Sequence, residues 1–373
     1  MTRRRKWAVY SLVGLATVLL IVSSLTVWAK RQLLDTNAWT KASGQVLADP
    51  QVRSALSQKL VDLLYENENV SAAIQQKLPK AAQPAAPAIA AALETAAVRA
   101  VNALLSTSQA QQLWENANRR AHTALVNVLE GKKVRRLTTE NGTVALDLRP
   151  LLDKISARLG INGPSSSSPT SGQIVLLKSD QLKAAQDAFK VLKALSSLLV
   201  LVVLALYAIA IWLARGSRVF VLGVSGATWV FSGLIVLIAR RLIGNYVVGS
   251  LVKVDANKQP VHHVWLIITA ILGDIGIALV VYGVLAMIAA WLGGHSRPAV
   301  AVRRFLAPTF RTRPIVVWAG AALLLLLFLA WGPSAGGRRA LGTVVLAGLV
   351  ALGIELWRRQ TLREFPDPGP PVG

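Results

Sequence analysis

The sequence predicts an α-helical polytopic membrane protein of about six transmembrane helices, with a mainly helical α+β extracytoplasmic domain carrying a small β-hairpin or sheet. Three observations carry this expectation. Hydrophobic residues make up 53% of the 373 residues and charged residues only 16%, against about a quarter charged in soluble domains. Six apolar runs approach or exceed the roughly 20 helical residues that cross a bilayer. Between the first and second runs, residues 30–193 are mixed in composition and long enough to fold as a domain. Cysteine is absent, which excludes disulfides, thiolate metal sites and cysteine nucleophiles.

Residues 1–6 form a basic N-terminal segment, with Arg3, Arg4, Arg5 and Lys6 ahead of the uncharged run Trp7–Ala29. That run is longer than the roughly 7–15-residue core of a signal peptide. Thr26-Val-Trp-Ala-Lys30 offers no small-residue cleavage site, so a retained membrane helix is expected. Five further spans are expected at 194–214, 219–239, 264–292, 314–331 and 340–357, with an interfacial helix at 299–310 and a tail at 358–373. Eight of the eleven tryptophans stand at or near a span end, as in an interfacial aromatic belt. With the N-terminus inside, the inner segments hold 14 Lys and Arg residues against 6 in the short outer segments. This bias predicts a plasma or inner membrane protein with both termini cytoplasmic and residues 30–193 extracytoplasmic. The formal charge of +23 then faces anionic lipid headgroups at the cytoplasmic surface. Because it is dispersed around hydrophobic spans, it does not suggest nucleic acid.

In the outer domain, Asp49-Pro50 is a helix start, an N-cap followed by proline at the first helical position. An alanine-rich stretch after Pro84 and Pro87 runs as helix to about Leu105. Ser108 with Gln111 reads as a capping box, and Gly131 as the end of that helix. Val134–Thr139 and Thr143–Leu148 flank Asn141-Gly142, the favoured two-residue hairpin turn. A helix from Pro150 to about Leu159, a serine-rich loop over Gly160–Gly172 and a third strand over Gln173–Lys178 complete the domain. His122 reads as a helix-face histidine with a local hydrogen bond.

Phosphate-loop, dinucleotide, His-Glu-x-x-His and Gly-x-Ser-x-Gly patterns are all missing, so no catalytic residue, cofactor or metal is assigned. His262 and His263 adjoin each other, a poor ligand pair on one helix, and read as interfacial anchors. Asp274 stands out because a carboxylate about ten residues inside the fourth span is costly unless protonated, paired or wetted. Gly273 and Gly276 flank it and Tyr282 lies two turns on. Two readings stay open: a proton- or cation-responsive site, or an ion pair with Arg240 or Arg241 at the outer end of the third span. The pair requires the third span to continue through Val248 or beyond.

Five strings, Asn37-Ala-Trp39, Leu47-Ala-Asp-Pro-Gln-Val-Arg53, Leu113-Trp-Glu-Asn-Ala-Asn-Arg-Arg-Ala-His122, Leu146-Asp-Leu-Arg-Pro150 and Arg358-Arg-Gln-Thr-Leu-Arg-Glu-Phe-Pro366, resemble those of uncharacterised actinobacterial-type integral membrane proteins. That group carries an extracytoplasmic domain between its first and second transmembrane helices. The resemblance implies an architecture and brings no activity with it. The expected function is non-enzymatic: a cell-envelope protein whose outer domain binds an envelope partner as scaffold, assembly factor or sensor. The alternative is a transporter or lipid-handling protein that uses Asp274.

Overall fold

The computed structural model describes residues 3–67, 75–77, 79–132, 144–147, 173–177, 182–331 and 340–366. In chain order these form α1 (Arg3–Leu33), α2 (Thr36–Ala48), α3 (Pro50–Asn67), a 3-10 turn (Lys80–Ala85), α4 (Ala86–Leu105) and α5 (Ser108–Leu129). Strands β1 (Val144–Asp147) and β2 (Gln173–Leu177) follow. Then come α6 (Leu182–Leu213), α7 (Arg218–Leu251), a 3-10 turn (Asp255–Asn257), α8 (Lys258–Ile268), α9 (Ala270–Gly293), α10 (Arg297–Thr312), α11 (Pro314–Trp331) and α12 (Ala340–Glu364).

Helix accounts for 92% of this structure, which corrects the expected α+β class. The described strands have four and five residues and pair antiparallel with each other, Leu146 opposite Ile174. Two short strands are a ribbon on a helical domain and not a layer of it. The expected hairpin rested on a local turn signal, whereas strand pairing is decided by context. Val134–Thr139, Asn141-Gly142, the helix from Pro150 and the serine-rich loop lie outside the described residues.

Among the described residues, five helical segments are long and apolar enough to cross a membrane: Arg3–Leu33, Ala82–Leu105, Lys183–Leu213, Arg218–Ser250 and Ala270–Gly293. A sixth candidate is the pair α10 and α11, bent by 114° at Arg313. The protein is therefore a multi-pass membrane protein. The chain divides into two units, one of Met1–Trp28, Leu195–Arg241 and Ala270–Gly373, the other of Ala29–Ala194 and Leu242–Thr269.

In the first unit, Val9, Val13 and Ala16 of α1 pack with Val203, Tyr207, Ala210 and Ala214 of the α6 segment and Val221 of α7. α7 and α9 approach more closely still. A Cβ added at Gly226 would stand 2.7 Å from the Gly283 carbonyl oxygen, and one at Gly233 would stand 2.6 Å from that of Gly276. The glycine pairs, one heptad apart on each helix, let the backbones touch. α10 departs from the expected surface helix. Within it Arg303 is fully buried with Ala299, Ala307 and Phe310, and the Phe310 ring meets Trp357 edge-on at 5.3 Å.

The second unit is a helical domain. Asp35 caps α2, accepting from the amides of Asn37 and Ala38. Asp49 caps α3 by accepting from Gln51 and Val52, as its sequence predicts. The cap of α5 is Thr107, one residue earlier than expected; its side chain accepts from the Ala110 amide. Gly131, at φ 74°, takes the left-handed conformation after that helix. The core joins Leu47, Leu60, Val61, Ala97, Val101, Leu105 and Ala110 from α2 to α5. α8, expected to begin the fourth span, instead packs against α2 and α3. The continuous helix expected over 264–292 is broken at Thr269, which leaves helical geometry and bonds its hydroxyl to the Trp265 carbonyl at 2.6 Å.

Candidate functional site

The break at Thr269 relocates Asp274. It is the fifth residue of α9, roughly 6 Å along the axis from the first, and not the middle of a long span. α7 continues through Val248 to Leu251, which satisfies the condition for reach. The Arg240 guanidinium lies over Gly273, its Nη1 only 2.9 Å from where a Cβ would sit. There it interacts electrostatically with Asp274. Glycine at 273 thus opens the place the guanidinium occupies. Arg240 and the N-terminal end of α9 both present positive charge to the carboxylate. Arg241 is exposed and in no ion pair among the described residues. Tyr282 stands two turns away, roughly 12 Å along α9. The structure therefore brings Asp274 and Arg240 together and leaves Arg241 and Tyr282 out.

Against expectation, the hydrogen-bond partners of His122 are not local but lie on the segment from Leu33 to Thr36. The histidine is buried, its ring stacked on Trp39 at 5.1 Å and 20°. Its Nε2 lies 3.1 Å from the Leu33 carbonyl and its Nδ1 3.0 Å from Thr36 Oγ1. A carbonyl only accepts, so Nε2 carries the proton and, in the neutral ring, Nδ1 accepts from the Thr36 hydroxyl. Burial lowers the His122 pKa below 6.5, against the opposing effects of the Leu33 carbonyl and Asp35. Nearby, Arg119 donates to Asn37 Oδ1 at 2.8 Å and Trp114 Nε1 to the Ser43 carbonyl at 2.8 Å. Asn37-Ala-Trp39 and the Leu113–His122 string are thus two sides of one contact between α2 and α5.

His263 meets Asp49, Nδ1 to Oδ2 at 2.8 Å. Burial alone would raise the Asp49 carboxyl; the His263 hydrogen bond and charge and the amides of Val52 and Gln51 hold it below its ordinary value. His263 thus ties α8 to the start of α3. Among the described residues, no group of three or more His, Asp or Glu is placed to hold a metal ion.

One intramembrane cluster had no sequence signal. The Tyr207 hydroxyl lies 3.3 Å from Thr17 Oγ1 and 3.1 Å from Thr228 Oγ1, while both threonines donate to carbonyls of their own helices, Val13 and Ser225. The cluster joins α1, α6 and α7 through neutral groups, and charge-based reasoning passes over it. Single hydroxyls in apolar helices are common, and only the packing brings these three together.

The chain matches no protein-family model, no curated protein and no solved structure. Its function must be argued from its own residues.

Proposed function

We propose that the protein is a non-enzymatic multi-pass membrane protein of the cell envelope whose helical outer domain binds a partner protein, in a scaffolding, assembly or sensing role. In this reading both termini are cytoplasmic, residues 30–193 face outward, and the actinobacterial-type resemblance describes the same architecture.

The observation that carries the proposal is the outer face of α4. One side of this helix supplies Ala97, Val101 and Leu105 to the domain core. Beside that stripe, one flank presents Ile89, Ala92, Leu93, Ala96, Ala100 and Ala103, all exposed, while Thr95 and Arg99 stand opposite the core. Leu93 is 48% exposed and Ile89 37%. Away from its core stripe a surface helix is ordinarily polar, whereas the exposed polar residues of α4 are Thr95 and Arg99. The segment Ala82–Leu105 is long and apolar enough to cross a membrane while belonging to a folded helical unit. Four alanines along one stripe leave a shallow surface on which another helix can lie close, with Ile89 and Leu93 as anchors.

The transport reading has less support, because Arg240 stands beside Asp274 and glycine pairs bring the backbones of α7 and α9 together. Purification of the full chain in mild detergent tests the leading reading. One protein should co-purify stoichiometrically with the wild type and be lost from Leu93→Glu, with helicity and melting unchanged. A wild type that elutes alone, or a variant that keeps the partner, contradicts the reading.

A further inference from the structure

We propose that the C-terminal half of α12 is a binding site for the phosphate group of an anionic membrane lipid. Leu349, Leu352 and Leu356 are each more than half exposed. At 100° per residue they fall on the face that continues, toward the C-terminus, into Arg359 and Arg363. A cavity of about 360 Å³ opens where the two halves of this face meet, lined by Leu356, Arg359, Gln360, Arg363 and Glu364. The face has the shape of an amphiphile: a leucine track for an acyl chain, ending in two guanidinium groups one turn apart.

The charges are arranged to leave those groups available. Glu364, the acid in the lining, is held by Arg303, Nε to Oε2 at 2.7 Å, and by Gln360 at 3.0 Å. Arg359 spends its Nε on Glu355 at 2.8 Å and keeps its terminal nitrogens. Arg363 is exposed and in no ion pair among the described residues. Guanidinium groups bind phosphate oxygens with paired, charge-assisted hydrogen bonds, and basic pockets beside spans select anionic headgroups. Inorganic phosphate shares the headgroup's chemistry but gains nothing from the leucine track, so the site is assigned to the lipid.

The test is native mass spectrometry of the full-length protein in detergent, titrated with phosphatidylglycerol or phosphatidylcholine. One phosphatidylglycerol should be retained at least about fivefold more strongly, a difference of about 1 kcal/mol. Arg359→Gln with Arg363→Gln should erase that preference, Arg313→Gln should not, and inorganic phosphate should not displace the lipid. A photoactivatable phosphatidylglycerol should label the peptide containing Leu352 and Leu356 above those of α1 and α6. Equal retention of both lipids, an unchanged double variant, displacement by phosphate or even labelling across the helices would each overturn the proposal.

Discussion

Arg303 on α10 and Glu364 on α12 form an ion pair in which the arginine is fully buried and the glutamate half-buried, Nε to Oε2 at 2.7 Å and Nη2 to Oε1 at 3.3 Å. The remaining nitrogen, Nη1, donates to the carbonyls of Leu292 and Gly294 at the end of α9. One side chain therefore answers unpaired carbonyls at a helix C-terminus and fixes three helices around it. Arg303→Met leaves the carboxylate with Gln360 alone and removes the donor to both carbonyls, so it should destabilise the protein by about 3 kcal/mol. Glu364→Gln keeps an acceptor and should cost less. Unfolding of the purified protein in graded denaturing detergent reads both, and equal stability of Arg303→Met and wild type would contradict this role.

The α7–α9 contact predicts a difference among glycines. Gly226→Ala and Gly283→Ala each drive a methyl into a backbone carbonyl, 2.7 and 2.6 Å away, and should cost about 1–3 kcal/mol. Gly14→Ala, with nothing within 4 Å, should be neutral or slightly stabilising, since alanine is the better helix former. Thermal melts of the three variants make the comparison; a Gly14 variant as damaged as the others would count against the contact.

His122 predicts a pH dependence with a defined sign. Burial lowers its pKa below 6.5, so the folded state prefers the neutral ring. That contribution is complete above 6.5 and is lost as pH falls from there toward the folded value. Melting temperature should drop from about pH 7.5 to 5, and part of the drop should vanish in His122→Phe, which keeps the stack on Trp39 without titrating. If the wild type and His122→Phe respond to pH identically, the histidine is not buried in its neutral form.

The apolar helices expected at 7–29, 194–214 and 219–239 were legible in the sequence, because the bilayer sets a length and a polarity that a window of residues can meet. The Asp49 cap and the left-handed Gly131 were legible because their partners lie within a few residues. His122 on Trp39, Arg303 on Glu364 and Tyr207 between two threonines were not, since each joins residues far apart in the chain. The fourth span misled for a related reason. Val264–Leu292 is uncharged except at Asp274, and such a run does not reveal that its first residues pack on α2 and α3. The Arg240–Asp274 proximity was half legible: the charges and glycines were visible, while the break at Thr269 that sets their register was not.

That proximity separates the two readings of Asp274. As an ion pair, Asp274→Asn and Arg240→Gln should each lower stability, and the double variant should recover part of the loss, a coupling of about 0.5–3 kcal/mol. Recovery is read from membrane abundance and melting. Full abundance and melting in Asp274→Asn, together with lost function, would instead support the transport reading.

The central claim is that the outer face of α4 is covered by a protein, and site-specific photo-crosslinking in intact cells tests it most directly. A photoreactive residue at Ala96, in the exposed stripe, should yield one discrete crosslinked protein product. The same residue at Gly14, far from α4 in sequence and in the other unit, should not yield that product. Crosslinks from Ala96 to lipid alone, or the same product from both positions, would contradict the account.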